Sequence, residues 1–230
     1  MLQLFAEEIW TADGPTVSVA GFPFPTRMIV IRLSDGGLFI WSPIALSGGL
    51  RSAVDQLGPV RHIVAPNHLH HLFLEDWHRA YPEAEIHGAP NLRPKHPDLK
   101  WGSDLGDTPA PEWANDIDQV VVRGNRITTE VVFFHRRSRT VIFTDLIQQF
   151  EPGWFKGWRG LVARLDKMTA PRPTVPAKYR MAFRDRSIAR SALQQIMAWP
   201  GEAVLAAHAP PVRHGGREAI AHAFEWLLGR

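Results

Sequence analysis

The segment Arg61–Trp77, with the sequence RHIVAPNHLHHLFLEDW, sets the clearest limits on the architecture of this 230-residue chain. It opens with the apolar run Ile63–Ala65, which is typical of a buried strand, and Pro66 and Asn67 mark the end of that strand. An apolar and aromatic stretch follows and predicts a helix that ends near Ala80. A strand that leads through a polar segment into a helix is typical of α/β proteins, which place binding and catalytic groups at the carboxyl ends of strands.

The polar segment contains three histidines, His68, His70 and His71. Histidine is the commonest metal ligand among side chains. If the chain stays extended here, side chains alternate between faces, so His68 and His70 point to one face and can converge on an ion. His71 then points elsewhere or caps the following helix. The alternative is a loop of solvent-exposed histidines, and we favour a metal-binding or active site.

Composition narrows the chemistry of such a site. The chain has no cysteine, which excludes disulfides, thiolate zinc sites and a cysteine nucleophile, so a metal would depend on His, Asp and Glu. The net charge is +3 with scattered arginines, so we expect no nucleic-acid partner, which would require a concentrated basic face. The N-terminal residues do not resemble a signal peptide, and no apolar run approaches the roughly 18 residues of a membrane span. We therefore expect a cytoplasmic protein with no membrane partner.

The strand pattern falls into two blocks, each followed by helices. The strongest predicted strands are Met28–Leu33, Gly37–Trp41, Glu130–His135, Thr140–Asp145 and Ala203–Ala207. The first two are joined by an Asp-Gly turn and the next two by a four-residue turn, so both pairs are predicted hairpins. Blocks of strands with helices between them predict two packed sheets with helices outside. No linker-like run interrupts the chain, and we predict a single domain over residues 1–230.

Several further elements are predicted around these strands. Met1–Ile9 is expected to form an edge strand, and Ser47–Leu57 a helix with Ser47 as its N-cap. Two later helices are predicted at Asp185–Trp199 and Gly215–Leu228. The segment 151–178 is rich in tryptophan and proline and is expected to be irregular, as a lid, an insertion or an interface.

The second hairpin brings two carboxylates together. Counting back from a pair formed by His135 and Thr140, Glu130 lies opposite Asp145, with Cβ atoms roughly 5 Å apart. Two such carboxylates repel each other unless a cation or a proton lies between them. Glu130 and Asp145 are therefore predicted to be a metal clamp or a catalytic carboxylate pair, the alternative being a solvated strand end. His208 follows an apolar strand and enters from a sheet end as His70 does; the alternative there is a structural histidine.

The order of these parts resembles the metallo-β-lactamase superfamily and is similar, more specifically, to the uncharacterised DUF4336 family. The residues that carry this resemblance are Pro66–Asn67, His70–Phe73, Glu130–His135, Ser138, Thr140 and Thr144–Leu146. The resemblance implies an α/β (α+β) fold, a four-layer αββα sandwich. It names no reaction.

The superfamily's metal motifs match only in part. His68 and His70 match the first two histidines of its His-x-His-x-Asp-His motif, Asp145 falls on the bridging aspartate and His208 on the last histidine. The Asp-His positions of the motif are occupied by Leu72 and Phe73, and no histidine lies near residues 125 and 126, where the third is expected. These departures imply at most one metal ion.

Two functions follow as expectations. The first is a metal-dependent hydrolase of a small-molecule ester, lactone, thioester or phosphoester, with one divalent metal, most simply zinc, or iron or manganese. The expected ligands are His68, His70, His71, Glu130, Asp145 and His208, with Glu130 and Asp145 as the catalytic residues. The second is a non-catalytic binding or interaction protein with a decayed metal centre.

Overall fold

Two mixed β-sheets lie face to face in the computed structural model, which describes residues 1–229. The strands are β1 (Gln3–Ala6), β2 (Ile9–Asp13), β3 (Val17–Val19), β4 (Phe22–Phe24), β5 (Arg27–Arg32), β6 (Leu38–Trp41), β7 (Val60–Ala65), β8 (Glu85–Gly88), β9 (Ile117–Val122), β10 (Glu130–His135), β11 (Thr140–Gln148) and β12 (Ala203–His208). The helices are α1 (Gly48–Asp55), α2 (Leu74–Ala80), α3 (Trp158–Leu165), α4 (Ala177–Ala182), α5 (Arg186–Ala198), α6 (Gly216–Ala223) and α7 (Glu225–Leu228).

The strand order makes both sheets mixed. The first sheet has the order β1-β2-β5-β6-β7-β8, and the second has the order β12-β11-β10-β9. β6, β7 and β8 run parallel, as do β11 and β12, and the other neighbours are antiparallel. β3 and β4 form a separate two-stranded ribbon.

Apolar side chains fill the space between the two sheets. Ile29, Trp41 and Val64 of the first sheet pack in one buried cluster with Phe133 and Leu205 of the second. Each side chain here is fully removed from water, which is the main favourable contribution to folding.

The outer faces of both sheets are covered by helices. Val54 of α1 and Trp77 of α2 pack against the outer face of the first sheet. Ile196 of α5 and Ile220 of α6 pack against the outer face of the second. The layers are therefore helices, sheet, sheet and helices, which confirms the predicted αββα sandwich.

Two features of the architecture position the site. The carboxyl ends of β6, β7 and β12 lie at one edge of the sandwich, where the Val131 N–H donates to the Pro66 carbonyl at 2.9 Å and joins the two sheets. At the same edge, the regular pairing of β11 with β12 stops after Phe143 and resumes, shifted, at Gln148. Such an irregularity bends a strand and redirects its side chains.

The N-cap predicted at Ser47 is confirmed. Ser47 caps α1 by accepting a hydrogen bond from the Leu50 N–H. Asp185, where a helix was predicted to begin, caps α5 by accepting from two N–H groups. The pair His135 and Thr140 is present in the second hairpin, and Ser138 bonds the His135 ring at 2.7 Å.

Three element predictions were correct only in part. The predicted edge strand Met1–Ile9 is interrupted by a turn between β1 and β2, where Glu8 takes a left-handed φ of 61° without the glycine or asparagine that signals such turns. The segment 151–178 contains α3 and the start of α4. Its apolar residues pack against Phe22 and Phe24 of the β3–β4 ribbon, which stabilises the helical structure. The predicted last helix is interrupted at Phe224, which is buried. No helix within residues 1–229 is long and apolar enough to cross a membrane.

Candidate metal centre

Three side chains meet at the edge where the strands end. His70 Nε2 lies 3.4 Å from Asp145 Oδ2, and His208 Nε2 lies 3.3 Å from Asp145 Oδ1. His70 comes from the loop after β7, Asp145 from the irregular part of β11, and His208 is the last residue of β12. Asp145 and His208 are buried and His70 is nearly so. The structure thus brings together three of the six predicted ligands.

Asn67 holds both the histidine loop and the carboxylate. Its Oδ1 accepts hydrogen bonds from the Leu69 N–H at 2.8 Å and the His70 N–H at 3.0 Å, which identifies the oxygen of the amide. Its Nδ2 donates to Asp145 Oδ2 at 2.6 Å. Asn67 therefore fixes the position of His70 relative to Asp145. The sequence had indicated Asn67 as the end of a strand and as part of the family resemblance, without a role at the site.

Ser42 contacts the other side of the His70 ring. Its Oγ lies 2.8 Å from His70 Nδ1, so the Nε2 atom faces Asp145. Ser42 directly follows β6 and has a left-handed φ of 51°, a conformation that costs energy for a residue with a Cβ. A hydrogen bond to the second ring nitrogen is how metal-binding histidines are usually oriented.

Glu130 is placed differently from the prediction. Its Oε1 accepts from the Thr144 N–H at 2.7 Å, and its Oε2 accepts from the N–H groups of Asp145 and Leu146 at 2.8 and 3.0 Å. These are the N–H groups that the irregular part of β11 removes from regular pairing. The carboxylate therefore faces the backbone of Asp145 rather than its side chain, and the geometry favours a positioning residue instead of a ligand or base.

The two buried carboxylates have opposite pKa shifts. Burial alone would raise the pKa of Asp145, but the attraction of the His70 and His208 rings outweighs it and holds that pKa well below its usual range. Burial and the nearby Asp145 raise the pKa of Glu130 to about 8, against the effect of its three N–H donors. Burial also lowers the pKa of His208.

His68 and His71 do not join the cluster. Because Asn67 folds the following residues into a turn, the segment is not extended, and the predicted alternation that would align His68 with His70 is absent. His71 Nδ1 instead lies 2.7 Å from His96 Nε2, and His96 Nδ1 bonds Glu75 at 3.0 Å. His71 is thus directed away from Asp145.

The cluster has the donor set and spacing of a metal site. Ligands held at about 2.0–2.1 Å in a tetrahedron lie roughly 3.3 Å apart. His70 Nε2 and His208 Nε2 each lie near this distance from one carboxylate oxygen of Asp145, Oδ2 and Oδ1 respectively, and one ligand atom from each of the three residues lies within 4.8 Å of the others. They are longer than direct charge-assisted hydrogen bonds, which are about 2.7–2.9 Å. The Nδ1 atom of His208 is buried without a hydrogen bond of regular geometry. Two histidines and one carboxylate leave a position for water, as in catalytic zinc sites.

A second group of this kind lies near the start of β7. His62 Nδ1 is 3.2 Å from His87 Nε2, and Glu85 Oε2 is 3.7 Å from the same nitrogen. The Ser103 carbonyl can only accept, so His87 Nδ1 carries a proton, and His87 Nε2 then accepts from His62. Burial lowers the pKa of His62 to about 4. This pair is satisfied by its own hydrogen bonds, and we call His62, Glu85 and His87 the comparison cluster.

A cavity of about 610 Å³ lies over the three candidate metal ligands. His70, Asp145 and His208 line its base. The rest of its wall is mainly apolar and comes from the ribbon β3–β4, the histidine loop, α3 and α4. The volume is in the range of sites that enclose a small molecule.

Comparison with solved structures places the fold. The chain is similar to a metallo-beta-lactamase from Pontibacter korlensis, with 11% identity, a TM-score of 0.60 and coverage of 100% of this chain and 99% of that one. It is similar to a metallo-beta-lactamase from Erythrobacter litoralis, with 13% identity, a TM-score of 0.62 and coverage of 100% and 92%. For the metallo-beta-lactamase FIM-1 from Pseudomonas aeruginosa in its mono-zinc form, the identity is 10%, the TM-score 0.64 and the coverage 99% and 94%.

Sequence comparison gives the family. No curated protein matches the chain. Residues 6–156 match DUF4336, a domain of unknown function, and this range includes His70 and Asp145 but not His208. The match covers more than half of the 230 residues. The chain therefore belongs to the DUF4336 family, and its fold is that of the metallo-β-lactamase superfamily.

Proposed function

We propose that this chain is a metal-dependent hydrolase with one ion bound by His70, Asp145 and His208. The observation that carries the proposal is the pair of 3.4 and 3.3 Å separations around Asp145 at the base of a large cavity. Zinc is the first choice, and iron or manganese are the alternatives, since two histidines and a carboxylate also suit non-haem iron. The neighbour FIM-1 was solved in a mono-zinc form, so a single ion is compatible with this fold.

Each residue of the centre has a defined task in this proposal. Asn67 keeps the carboxylate of Asp145 in place, and Ser42 keeps Nε2 of His70 directed at the ion position. Glu130 holds the backbone of the irregular strand that presents Asp145. When bound, the ion lowers the pKa of a coordinated water and so provides a nucleophile near neutral pH. The cavity binds the substrate so that its reacting carbonyl lies at the base.

The charged residues that line the cavity limit the class of substrate that it can bind. Lys178 is the one lysine or arginine among the lining residues of the described chain, and its Nζ is 3.2 Å from Asp166, which neutralises it. Phosphate groups are usually bound by several cationic or N–H donors. A carboxylic ester, lactone or thioester therefore fits the cavity better than a phosphoester.

The second candidate function is binding without catalysis. It is favoured by Leu72 and Phe73, which replace a ligand pair of the superfamily: Leu72 is exposed and Phe73 packs against the core beneath α2. A centre that has lost its second ion could have kept only the cavity.

Hydrolysis assays on metal-loaded protein separate the two functions. We expect the wild type, loaded with zinc, iron(II) or manganese, to hydrolyse at least one of a panel of esters, lactones and thioesters. The Asp145→Asn variant should lose this activity, while His87→Gln in the comparison cluster should keep it. Equal rates for wild type and Asp145→Asn would show that the hydrolysis does not come from this centre.

A further inference from the structure

The wall of the cavity is mainly apolar beyond its base, with Thr26, Asp166, Lys178 and Tyr179 as the polar residues of that part. Phe22, Phe24, Leu69 and Met168 line the space beyond the metal-binding candidates. Asp166, which also lines it, is already engaged: it accepts from the Lys178 N–H at 2.6 Å and pairs with the Lys178 ammonium. A ligand in this cavity therefore finds polar partners mainly at the base.

The mouth of the cavity exposes apolar side chains to water. Six large apolar residues line the cavity and are more than a third exposed: Val19, Leu72, Ile127, Val162, Leu165 and Met181. Leu165 and Met181 are 70% and 74% exposed. Single exposed apolar residues are common on proteins, but a group around one opening marks a binding site.

The exposed rim is assembled from separate parts of the chain. Val19 comes from β3, Leu72 from the histidine loop, Ile127 from the loop before β10, Leu165 from α3 and Met181 from α4. One amphipathic helix facing solvent would give a stripe along that helix alone. Because five segments converge on one opening, we infer that the apolar rim belongs to the binding cavity and is not the exposed face of a single helix.

From this arrangement we propose that the cavity binds a single acyl chain, so that the substrate is a long-chain acyl ester or thioester. The inference rests on the proposed hydrolase function for the reaction and on the cavity alone for binding. The acyl carbon lies at the base near His70, Asp145 and His208, the alkyl chain runs along the apolar wall to the exposed rim, and the alcohol or thiol leaves through the same opening. The oxygen of water bonds to the acyl carbon, the C–O or C–S bond breaks, and a proton passes to the leaving oxygen or sulfur, giving a fatty acid and an alcohol or thiol.

Chain length is the variable that tests this inference. Burial of each methylene is worth up to about fourfold in binding or in kcat/KM. With monomeric p-nitrophenyl esters below their aggregation concentration, we expect kcat/KM to rise at least about tenfold from butanoate to octanoate. Direct titration of free butanoate, octanoate and dodecanoate into the folded Asp145→Asn chain should show the same order of affinity without any turnover.

Charged substitutions on α3 provide a matched pair. Leu165 lines the cavity, whereas Leu161, one turn earlier on the same helix and 52% exposed, does not. Leu165→Glu should weaken dodecanoate binding at least about tenfold because it places a charge on the chain's path. Leu161→Glu should leave it unchanged, and both variants should fold because both sites are exposed.

The outcomes distinguish the two proposals. Acyl-chain binding that increases with length, with no hydrolysis by any metal form, would support the acyl site and contradict the hydrolase. Hydrolysis restricted to short or polar esters, with no length dependence in binding, would overturn the acyl inference and leave the hydrolase standing. Equal losses in Leu161→Glu and Leu165→Glu would also overturn it, because the effect would then not come from the cavity.

Discussion

Asn67 Nδ2 donates a hydrogen bond of 2.6 Å to Asp145 Oδ2, while Oδ1 of the same amide accepts from the backbone of the His70 loop. One side chain thus sets the distance between a histidine after β7 in the first sheet and a carboxylate on β11 in the second. The first sheet supplies His70, and the second sheet supplies Asp145 and His208. The amide joins them at the point where the ligand atoms must converge.

Asn67→Ala should weaken metal binding without unfolding the protein. Loss of a group that orients a ligand typically costs 10–100-fold in metal affinity. We expect a loss of this size for zinc, measured by competition with a chelating dye. Asn67→Gln is the control, because it keeps the amide but places it one methylene further from the backbone. Its zinc affinity should also be reduced. Unchanged affinity in both variants would contradict this role.

Glu130→Gln should reduce stability more than it reduces metal binding. The amide nitrogen of glutamine cannot accept from the backbone, so at least one of the three N–H groups loses its partner in a buried site. Leaving such a group unpaired costs about 1–3 kcal/mol of unfolding free energy. Urea unfolding of metal-free protein at pH 9, above the pKa of about 8 of Glu130, measures this with the carboxylate ionised. A variant with unchanged stability and no metal would show instead that Glu130 is a ligand, as the sequence had suggested.

His135 should make the protein less stable in acid. Burial lowers its pKa to about 4 in the folded chain, against about 6.5 in the unfolded chain. Between these values the unfolded chain binds the extra proton, so stability falls as the pH decreases from about 6.5 to about 4, by up to about 1.4 kcal/mol per pH unit.

Urea unfolding of wild type and His135→Gln at pH 7.5, 6 and 5 tests this. In the variant, the unfolding free energy should depend less steeply on pH, by about one bound proton. Its metal content at pH 7.5 should match that of wild type, because His135 lies at the opposite end of β10 from Glu130. A parallel pH profile for the two proteins would refute the assignment.

His68→Ala and His71→Ala should both retain metal. Neither ring belongs to the group of ligand atoms around Asp145, and the His71 ring is hydrogen-bonded to His96. Metal content by elemental analysis should equal that of wild type in each variant. Loss of metal in His68→Ala alone would mean that the loop rearranges to supply a fourth ligand.

Much of the architecture could be predicted from residue patterns. The αββα order follows from hairpin signals and apolar runs, and the cap at Ser47 was predicted because capping depends on residues close in sequence. The turn at Glu8 was not, since its left-handed backbone has no glycine to signal it.

The site was predicted less completely than the fold, for a physical reason. His70, Asp145 and His208 were expected to meet because each ends or follows a strand. Asn67 and Ser42 were missed because their roles depend on contacts across the sheets, which no local pattern records. For Glu130, strand counting assumed regular pairing, whereas β11 becomes irregular just where Asp145 lies.

Metal analysis of three proteins tests the central claim most directly. Wild type, Asp145→Asn and His87→Gln would be purified without chelator, equilibrated with one equivalent of zinc, passed through a desalting column and analysed for zinc per chain. The account predicts about one ion in wild type and in His87→Gln and almost none in Asp145→Asn. Zinc retained by Asp145→Asn and lost from His87→Gln, or no zinc in wild type, would contradict it.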